Sequence, residues 1–266
     1  MKPIGQSLIT DPAAGDTTLE EKLRFYKGLG FDFVCTSPRK ILETDFLRIC
    51  EGLDLPIDNV HLTGDDTNAL WLPGPRGDEV AARYCREIAA MSERGIRLGV
   101  AHETWGLEVM PFTPIGLERF RRIVGCAEDH DFVIGFENSV TPDVHLRGVL
   151  EAIDSPCAGF TFDTGHWNAF APDSDFPFVY ADRLVITHIQ DNDGTGDQHR
   201  IPFDGTVDFA RLAPVLRRAK RLTLEAGKRA KNPDLYGHLT YFEHMERIYR
   251  AARRIAELVG EEEDGE

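Results

Sequence analysis

Short apolar runs alternate with longer amphipathic stretches along the chain. The runs PIGQSLIT, FDFVCTSP, DNVHLTG, IRLGVAHE, FVIGFENS, AGFTFDTGH, RLVITHIQD and RLTLEAG are each strand-length and lie between turn signals. Most are followed by a stretch with helical spacing of apolar positions: TTLEEKLRFYKGLG, DEVAARYCREIAAMSERG, PIGLERFRRIVGCAEDH, PDVHLRGVLEAI, VDFARLAPVLRRA and TYFEHMERIYRAARRIAELV. Thr17 or Thr18 with Glu20 or Glu21 outlines a capping box ahead of the first helix, and Gly28 or Gly30 offers its stop. The sixth unit is weakest: WNAFAPDSDFPFVYAD has little helical period and predicts a loop with a short helix. Strands alternating with helices in this way predict an α/β fold, a single parallel (β/α)8 TIM barrel.

The length of 266 residues fits one such barrel, which often runs to about 250 residues. No Pro/Gly/Ser linker divides the chain. Residues 1–258 are therefore expected to form the barrel and 259–266 a frayed acidic tail. A hydrophobic content of 42% is ample for a large core. The net charge of −15 argues against binding chiefly through a phosphate backbone, so nucleic acid is not the expected partner. The stretch MKPIGQSLIT is too short and polar for a signal peptide, and no apolar run approaches the roughly 20 residues of a membrane helix. Five cysteines, at 35, 50, 85, 126 and 157, lack CxxC spacing. They read as reduced thiols of a cytoplasmic protein, with Cys35 and Cys126 in the core. A homo-oligomer is compatible with all of this.

In a parallel barrel the carboxyl ends of the strands form the active face. Those ends carry His61, His102, Glu137, Asp163, His188 and Glu225; His166 follows in DTGH, and Asp197 and His199 lie in the loop after the seventh strand. A lone histidine such as His61 is ordinarily a hydrogen-bonded structural residue. Glu137 and Glu225, at the ends of buried strands, are harder to place without a partner, because a buried carboxylate is costly unless paired or metal-bound. Asp163 and His166 can turn toward one centre, and Asp197 and His199 project to one side if extended. Oxygen and imidazole donors without thiolate suit Mn2+, Mg2+, Co2+, Fe2+ or Zn2+, with a metal-free polar network as the alternative. His130, His145, His238 and His244 fall in helical or surface patterns and carry no such expectation.

The stretches FENS, FDTGHWNAF, HIQDNDGTGDQHRIPFDGTVDF and LTLEAG resemble the xylose isomerase-like barrel superfamily, and the resemblance covers nearly the whole chain. That superfamily includes sugar-phosphate isomerases and epimerases, inosose dehydratases and endonuclease IV. The resemblance implies a four-ligand metal site of Glu137, Asp163, His188 and Glu225, with His166 beside it in contact with substrate. The larger ligand set of endonuclease IV would add His61, His102, His166, Asp197 and His199, and all nine residue types match. The acidic balance and the absence of a basic, aromatic-laced loop set depart from that endonuclease. The stretch DNDGTGD lacks the arginine that many keto-sugar epimerases carry after the ligand histidine, which departs from a ketohexose epimerase.

What the resemblance implies is a metal-dependent isomerase or epimerase of a small sugar, sugar phosphate or polyol, acting through an enediolate. Glu137 and Glu225 would move protons on opposite faces of the substrate, with His166 holding an oxygen or shuttling a proton. Trp71, Trp105 and Trp167 follow strand ends, where an indole can stack on a sugar or simply cover the barrel mouth. Lys228, with Arg229 and Lys231, can hold an anionic substituent or form a solvated loop. The alternatives are a multinuclear metal phosphodiesterase, an inosose-type dehydratase, and a non-catalytic binding protein on an enzyme fold.

Overall fold

The computed structural model describes residues 1–9, 17–139, 141–227 and 231–260. Eight strands run β1 (Ile4–Ser7), β2 (Phe33–Thr36), β3 (Ile57–His61), β4 (Leu98–His102), β5 (Val133–Glu137), β6 (Ala158–Asp163), β7 (Leu184–His188) and β8 (Leu222–Leu224). All pair in parallel in the order β7-β6-β5-β4-β3-β2-β1-β8. The two ends of that order meet just past β7, where Ile189 bridges Leu224. The sheet is thus a nearly closed single (β/α)8 barrel, as the alternating pattern predicts.

The helices are α1 (Leu19–Leu29), α2 (Pro38–Glu43), α3 (Phe46–Gly52), α4 (Pro75–Ser92), α5 (Pro114–Asp129), α6 (His145–Ala152), α7 (Thr164–Phe170), α8 (Phe176–Val179), α9 (Phe209–Leu216), α10 (Pro233–Tyr236) and α11 (Tyr241–Gly260). The first starts on a capping box of Thr18 and Glu21 and stops at Gly30, whose φ of 101° is the left-handed cap that glycine adopts freely. The short α2 and α3 follow β2, where the apolar pattern gives no helical period. Ser37 caps α2, with Pro38 at its first position, and the break before α3 is the extended Thr44. The weak sixth unit resolves into α7 and α8. The last helix continues through Val259, which is buried, and Gly260, so these two residues do not belong to a tail. Residues 261–266 of the expected tail lie outside the described residues.

The core lies between the barrel and the outer helices, and Ile134, Phe136, Phe160 and Phe162 on β5 and β6 are fully buried. Their neighbours on the opposite face are buried as well, through all of β6 and all but the first residue of β5, and burial on both faces is what central parallel strands require. One expectation is corrected. Cys85 on α4 and Cys126 on α5 form a disulfide across a Cα–Cα distance of 5.5 Å, so the five cysteines are not all reduced thiols, and Cys126 is a half-buried helix residue rather than a core one. Cys35 is buried as expected. Among the described residues no helix is long and apolar enough to cross a membrane.

Candidate metal centre

Parallel register brings the strand ends level: His102 pairs with Glu137 across β4 and β5, and Asp163 with His188 across β6 and β7. Glu225 sits one residue beyond β8 and donates its N–H to the carbonyl of Ile189 at 3.0 Å, which holds it on the same rim. The result is that Glu137, Asp163, His188 and Glu225 each offer a ligand atom within 4.8 Å of the others. All four are buried. His188 Nδ1 is 2.7 Å from Glu137 Oε1 and 3.1 Å from Glu225 Oε2.

Asp163 divides its labour. One oxygen accepts from the His166 N–H at 2.7 Å and caps α7, so the turn that delivers His166 is built by the carboxylate itself. The other oxygen remains on the cluster side, 3.3 Å from Gln190 Nε2. Asn138 braces the backbone of Asp163 with two hydrogen bonds, of 2.7 and 2.9 Å.

Three more histidines are fixed by main-chain carbonyls. His61 Nδ1 donates to Leu62, His166 Nδ1 to Asn138 and His199 Nδ1 to Glu225, at 3.0, 3.0 and 2.7 Å. His61 therefore turns its Nε2 toward Glu137, and His166 and His199 turn theirs toward Asp197; a ring held through one nitrogen with the other left for an ion is the arrangement metal-ligating histidines commonly use. His61 Nε2 and His102 Nε2 lie 3.1 Å apart, with Glu137 Oε2 3.5 and 3.3 Å from them, and these three side chains form a second group able to hold an ion. Asp197 sits between His199 Nε2 at 2.7 Å and His166 Nε2 at 3.6 Å. His199 itself has φ of 50°, a left-handed conformation uncommon for a non-glycine residue and held here by its two ring and backbone contacts.

The electrostatics follow from this crowding. Burial disfavours the charged form of each group, but for His188 the flanking carboxylates outweigh it and hold the imidazole well above its usual range. His166 is held at about 10, because Asp163, Asp197 and Glu137 outweigh its burial. Glu225 is drawn down to about 2 by His188 against its own burial. Burial dominates at Asp163, pushed up to about 6, and at His102, pushed down to about 3. Without an ion, a proton on His188 Nδ1 holds two carboxylates together. A hard divalent cation fits that position, since the donors are carboxylate and imidazole and no thiolate lies among them.

Above the cluster opens a cavity of about 490 Å3, the size of a small-molecule site. His61, His102, Glu137, His166, Asp197, His199 and Glu225 form its polar floor, while Ile9, Leu62, Trp105, Leu107 and Phe170 supply apolar wall. Trp105 is 50% exposed there. Trp167 does not line the cavity: it is buried, donates its N–H to Ser174 and lies under Arg211. Trp71 is a core residue whose N–H donates to the Glu103 carbonyl. Lys228 and Arg229 lie outside the described residues, and Lys231 pairs with Asp197 Oδ2 at 3.1 Å. His145 and His244 are buried, against Trp71 and Tyr236.

Sequence reasoning missed the residues that brace Asp163, Asp197 and the loop after β7. Gln190 donates to both Asp163 and Asp197 and accepts from the N–H of His199. Asp191 anchors the loop that follows. Both stand in the HIQD stretch directly after His188, a polar pair following a buried strand, which was the available signal.

A parallel barrel with a buried carboxylate–imidazole cluster at the carboxyl ends of its strands defines the class. The chain belongs to the xylose isomerase-like TIM barrel family, whose model matches residues 23–242. Two curated relatives are each 28% identical. The uncharacterized protein y4fM of Sinorhizobium fredii aligns over 111 residues, 41% of this chain and 35% of the relative. The uncharacterized protein MJ1311 of Methanocaldococcus jannaschii aligns over 130 residues, 45% of this chain and 44% of the relative. The chain thus spans less than half the length of either relative. Among solved structures, a D-psicose 3-epimerase in the presence of D-fructose superposes with TM-score 0.74 at 15% identity, over 98% of this chain and 100% of that one. An L-ribulose 3-epimerase gives 0.73 at 19% identity over 100% of both chains. The 3-keto-D-glucoside 4-epimerase YcjR of E. coli gives 0.69 at 19% identity, over 94% and 100%. At these identities the likeness shows the fold.

Proposed function

We propose that the protein is a divalent-metal-dependent isomerase or epimerase of a sugar or related polyol, transferring a proton at a carbon next to a carbonyl. The observation that carries this reading is the pair of buried carboxylates, Glu137 and Glu225, flanking His188 beneath the cavity. Glu137, Asp163, His188 and Glu225 would hold the ion, and Mn2+, Zn2+, Co2+ and Mg2+ all suit these donors. A bound ion supplies Lewis acidity, polarising a carbonyl and offsetting the charge that grows on its oxygen. Glu137 and Glu225 approach the reacting carbon from different strands, so one can remove a proton and the other return it to the opposite face. His166, charged in the crowded site, holds a substrate oxygen. Trp105 packs against the sugar, and Lys228 is the counter-charge for a phosphorylated substrate. The similar structures are those of sugar epimerases, which supports the same substrate class.

A second reading has its own observation. The His61, His102 and Glu137 group, together with His166, Asp197 and His199 around one carboxylate, offers places for further ions, as a multinuclear phosphodiesterase requires. An inosose-type dehydratase would share the proton abstraction and then lose water.

One experiment separates these readings. The Mn2+-loaded protein is incubated in deuterated water with ketoses, inososes and their phosphates, and separately with an abasic-site oligonucleotide. Deuterium at the α-carbon with retained mass balance is expected. Deuterium with loss of water would make it a dehydratase, and strand cleavage without any exchange would overturn the isomerase reading.

A further inference from the structure

Trp105 stands half-exposed in the cavity, and a neighbouring loop takes hold of its backbone. Asn68 Oδ1 accepts from the Trp105 N–H at 2.7 Å, and Asn68 Nδ2 donates to the Trp105 carbonyl at 2.9 Å. The two bonds close a ring around one residue. They restrain its φ and ψ together, and with them the direction in which the indole leaves the chain. The indole then meets His102 edge-on, with ring centroids 4.8 Å apart and planes at 88°.

This clamp needs a donor and an acceptor side by side. The backbone of Trp105 presents one N–H and one carbonyl, and a primary amide answers both. A carboxylate of the same shape answers the N–H but opposes the carbonyl, because it only accepts.

The segment that carries Asn68 is anchored independently. It is a short 3-10 helix, Thr67–Trp71, between β3 and α4. Buried Arg119 on α5 donates to the carbonyls of Leu70 and Leu72 at 3.0 and 2.6 Å. Trp71 ties the same helix to the loop after β4 through the Glu103 carbonyl at 2.6 Å. None of these contacts involves the Asn68 side chain, whose two bonds both go to Trp105. Asn68 stands behind the cavity wall and reaches the cavity only through Trp105.

We propose that Asn68 is a positioning residue for substrate: it presets the Trp105 indole in the pose that meets the sugar, so that binding does not have to order it. This rests on the sugar or polyol reading above, in which Trp105 packs against the substrate, and adds a specificity element that touches no substrate itself.

The indole can be watched without any ligand. Fluorotryptophan incorporated into the protein gives a fluorine NMR line for each of Trp71, Trp105 and Trp167, and Trp105→Phe assigns the one in question. In Asn68→Ala the Trp105 line is expected to move toward that of free fluorotryptophan and to narrow, while the Trp71 and Trp167 lines stay in place. Asn68→Asp should do the same, because shape without a donor does not suffice. The Zn2+-loaded protein is then titrated with D-psicose, D-tagatose and L-ribulose. Asn68→Ala is expected to weaken the tightest binder roughly threefold to tenfold, the scale of ordering one large side chain on binding. In a Trp105→Ala background the same substitution should change nothing, since the two residues act as one unit. An unmoved Trp105 line, a Trp71 line that moves with it, unchanged affinity, or a loss of affinity that persists without Trp105 overturns the proposal. If no sugar binds while the Trp105 line still moves, the sugar reading fails and Asn68 remains the residue that holds Trp105.

Discussion

His188 Nδ1 lies 2.7 Å from Glu137 Oε1, closer than any other charged contact of that histidine. In the ion-free protein the proton on that nitrogen occupies the place where a cation would bind. Burial works against the imidazolium, and the carboxylates of Glu137 and Glu225 overcome it, so His188 stays protonated well above its ordinary range. A metal has to displace that proton. Affinity for Mn2+ or Zn2+ is therefore expected to rise with pH, by about tenfold per unit between pH 6 and 8. Competition titrations against a chelator give the slope. A flat profile would mean that His188 does not give up a proton to the ion.

On the proposed function, Glu225→Gln removes a negative ligand and a proton-transfer group while keeping shape. The exchange of the α-hydrogen is expected to fall by about 10²- to 10⁴-fold, the usual worth of a positioned acid–base group, and ion affinity should fall with it. Because His199 Nδ1 is bonded to the backbone carbonyl of Glu225, the loop contact survives the substitution. Exchange rates measured at saturating metal separate the two losses. Unchanged exchange at saturation would remove Glu225 from proton transfer.

The positions that made the barrel legible are the ones where strand and site coincide. Each of β3 to β7 ends on a candidate ligand, and Glu225 directly follows β8, so marking apolar runs also marked His61, His102, Glu137, Asp163, His188 and Glu225. What the sequence hid is set by packing. Trp167 lies at a strand end like Trp105, and only the start of α7 at Thr164 decides that it turns inward under Arg211. Gln190 and Glu103 read as ordinary polar residues until the register places them beside Asp197 and Ser139. Cys85 and Cys126 are 41 residues apart on helices that pack side by side, a relationship no local spacing encodes.

That disulfide yields a thiol count. Cys35 and Cys50 are buried, and burial pushes each thiol up to about 12, so neither should react with Ellman's reagent in the folded protein. Cys157 is partly exposed and should react alone. Denaturant should expose the two buried thiols as well, and reduction should add the paired cysteines. Opening the bond releases a loop of 41 residues, which is expected to lower stability by roughly 2–4 kcal/mol in denaturant titrations with and without reductant. Five reactive thiols in the unreduced, unfolded protein would mean that the bond is absent.

Asp191 tests how far the loop carrying Asp197 and His199 depends on one buried carboxylate. Its Oδ1 accepts from the N–H groups of Asn192 and Val207 at 2.8 and 3.0 Å, and its Oδ2 from those of Phe203 and Gly205 at 2.9 and 3.0 Å. Gly205 is required for this closeness, since a Cβ there would stand 2.2 Å from the Asn192 carbonyl oxygen and 2.3 Å from Asp191 Oδ1. Asp191→Asn keeps the volume but turns an NH2 group toward two N–H donors, leaving them buried and unpaired. The expected cost is about 1–3 kcal/mol, concentrated between residues 192 and 207. Hydrogen exchange should accelerate there and not in β5 or β6. The ion at Glu137, Asp163, His188 and Glu225 should still bind, because none of those residues depends on Asp191 for its position. Any ion that needs Asp197 and His199 should be lost. Uniform acceleration across the barrel, or loss of all metal together, would show that Asp191 supports the whole fold rather than this loop.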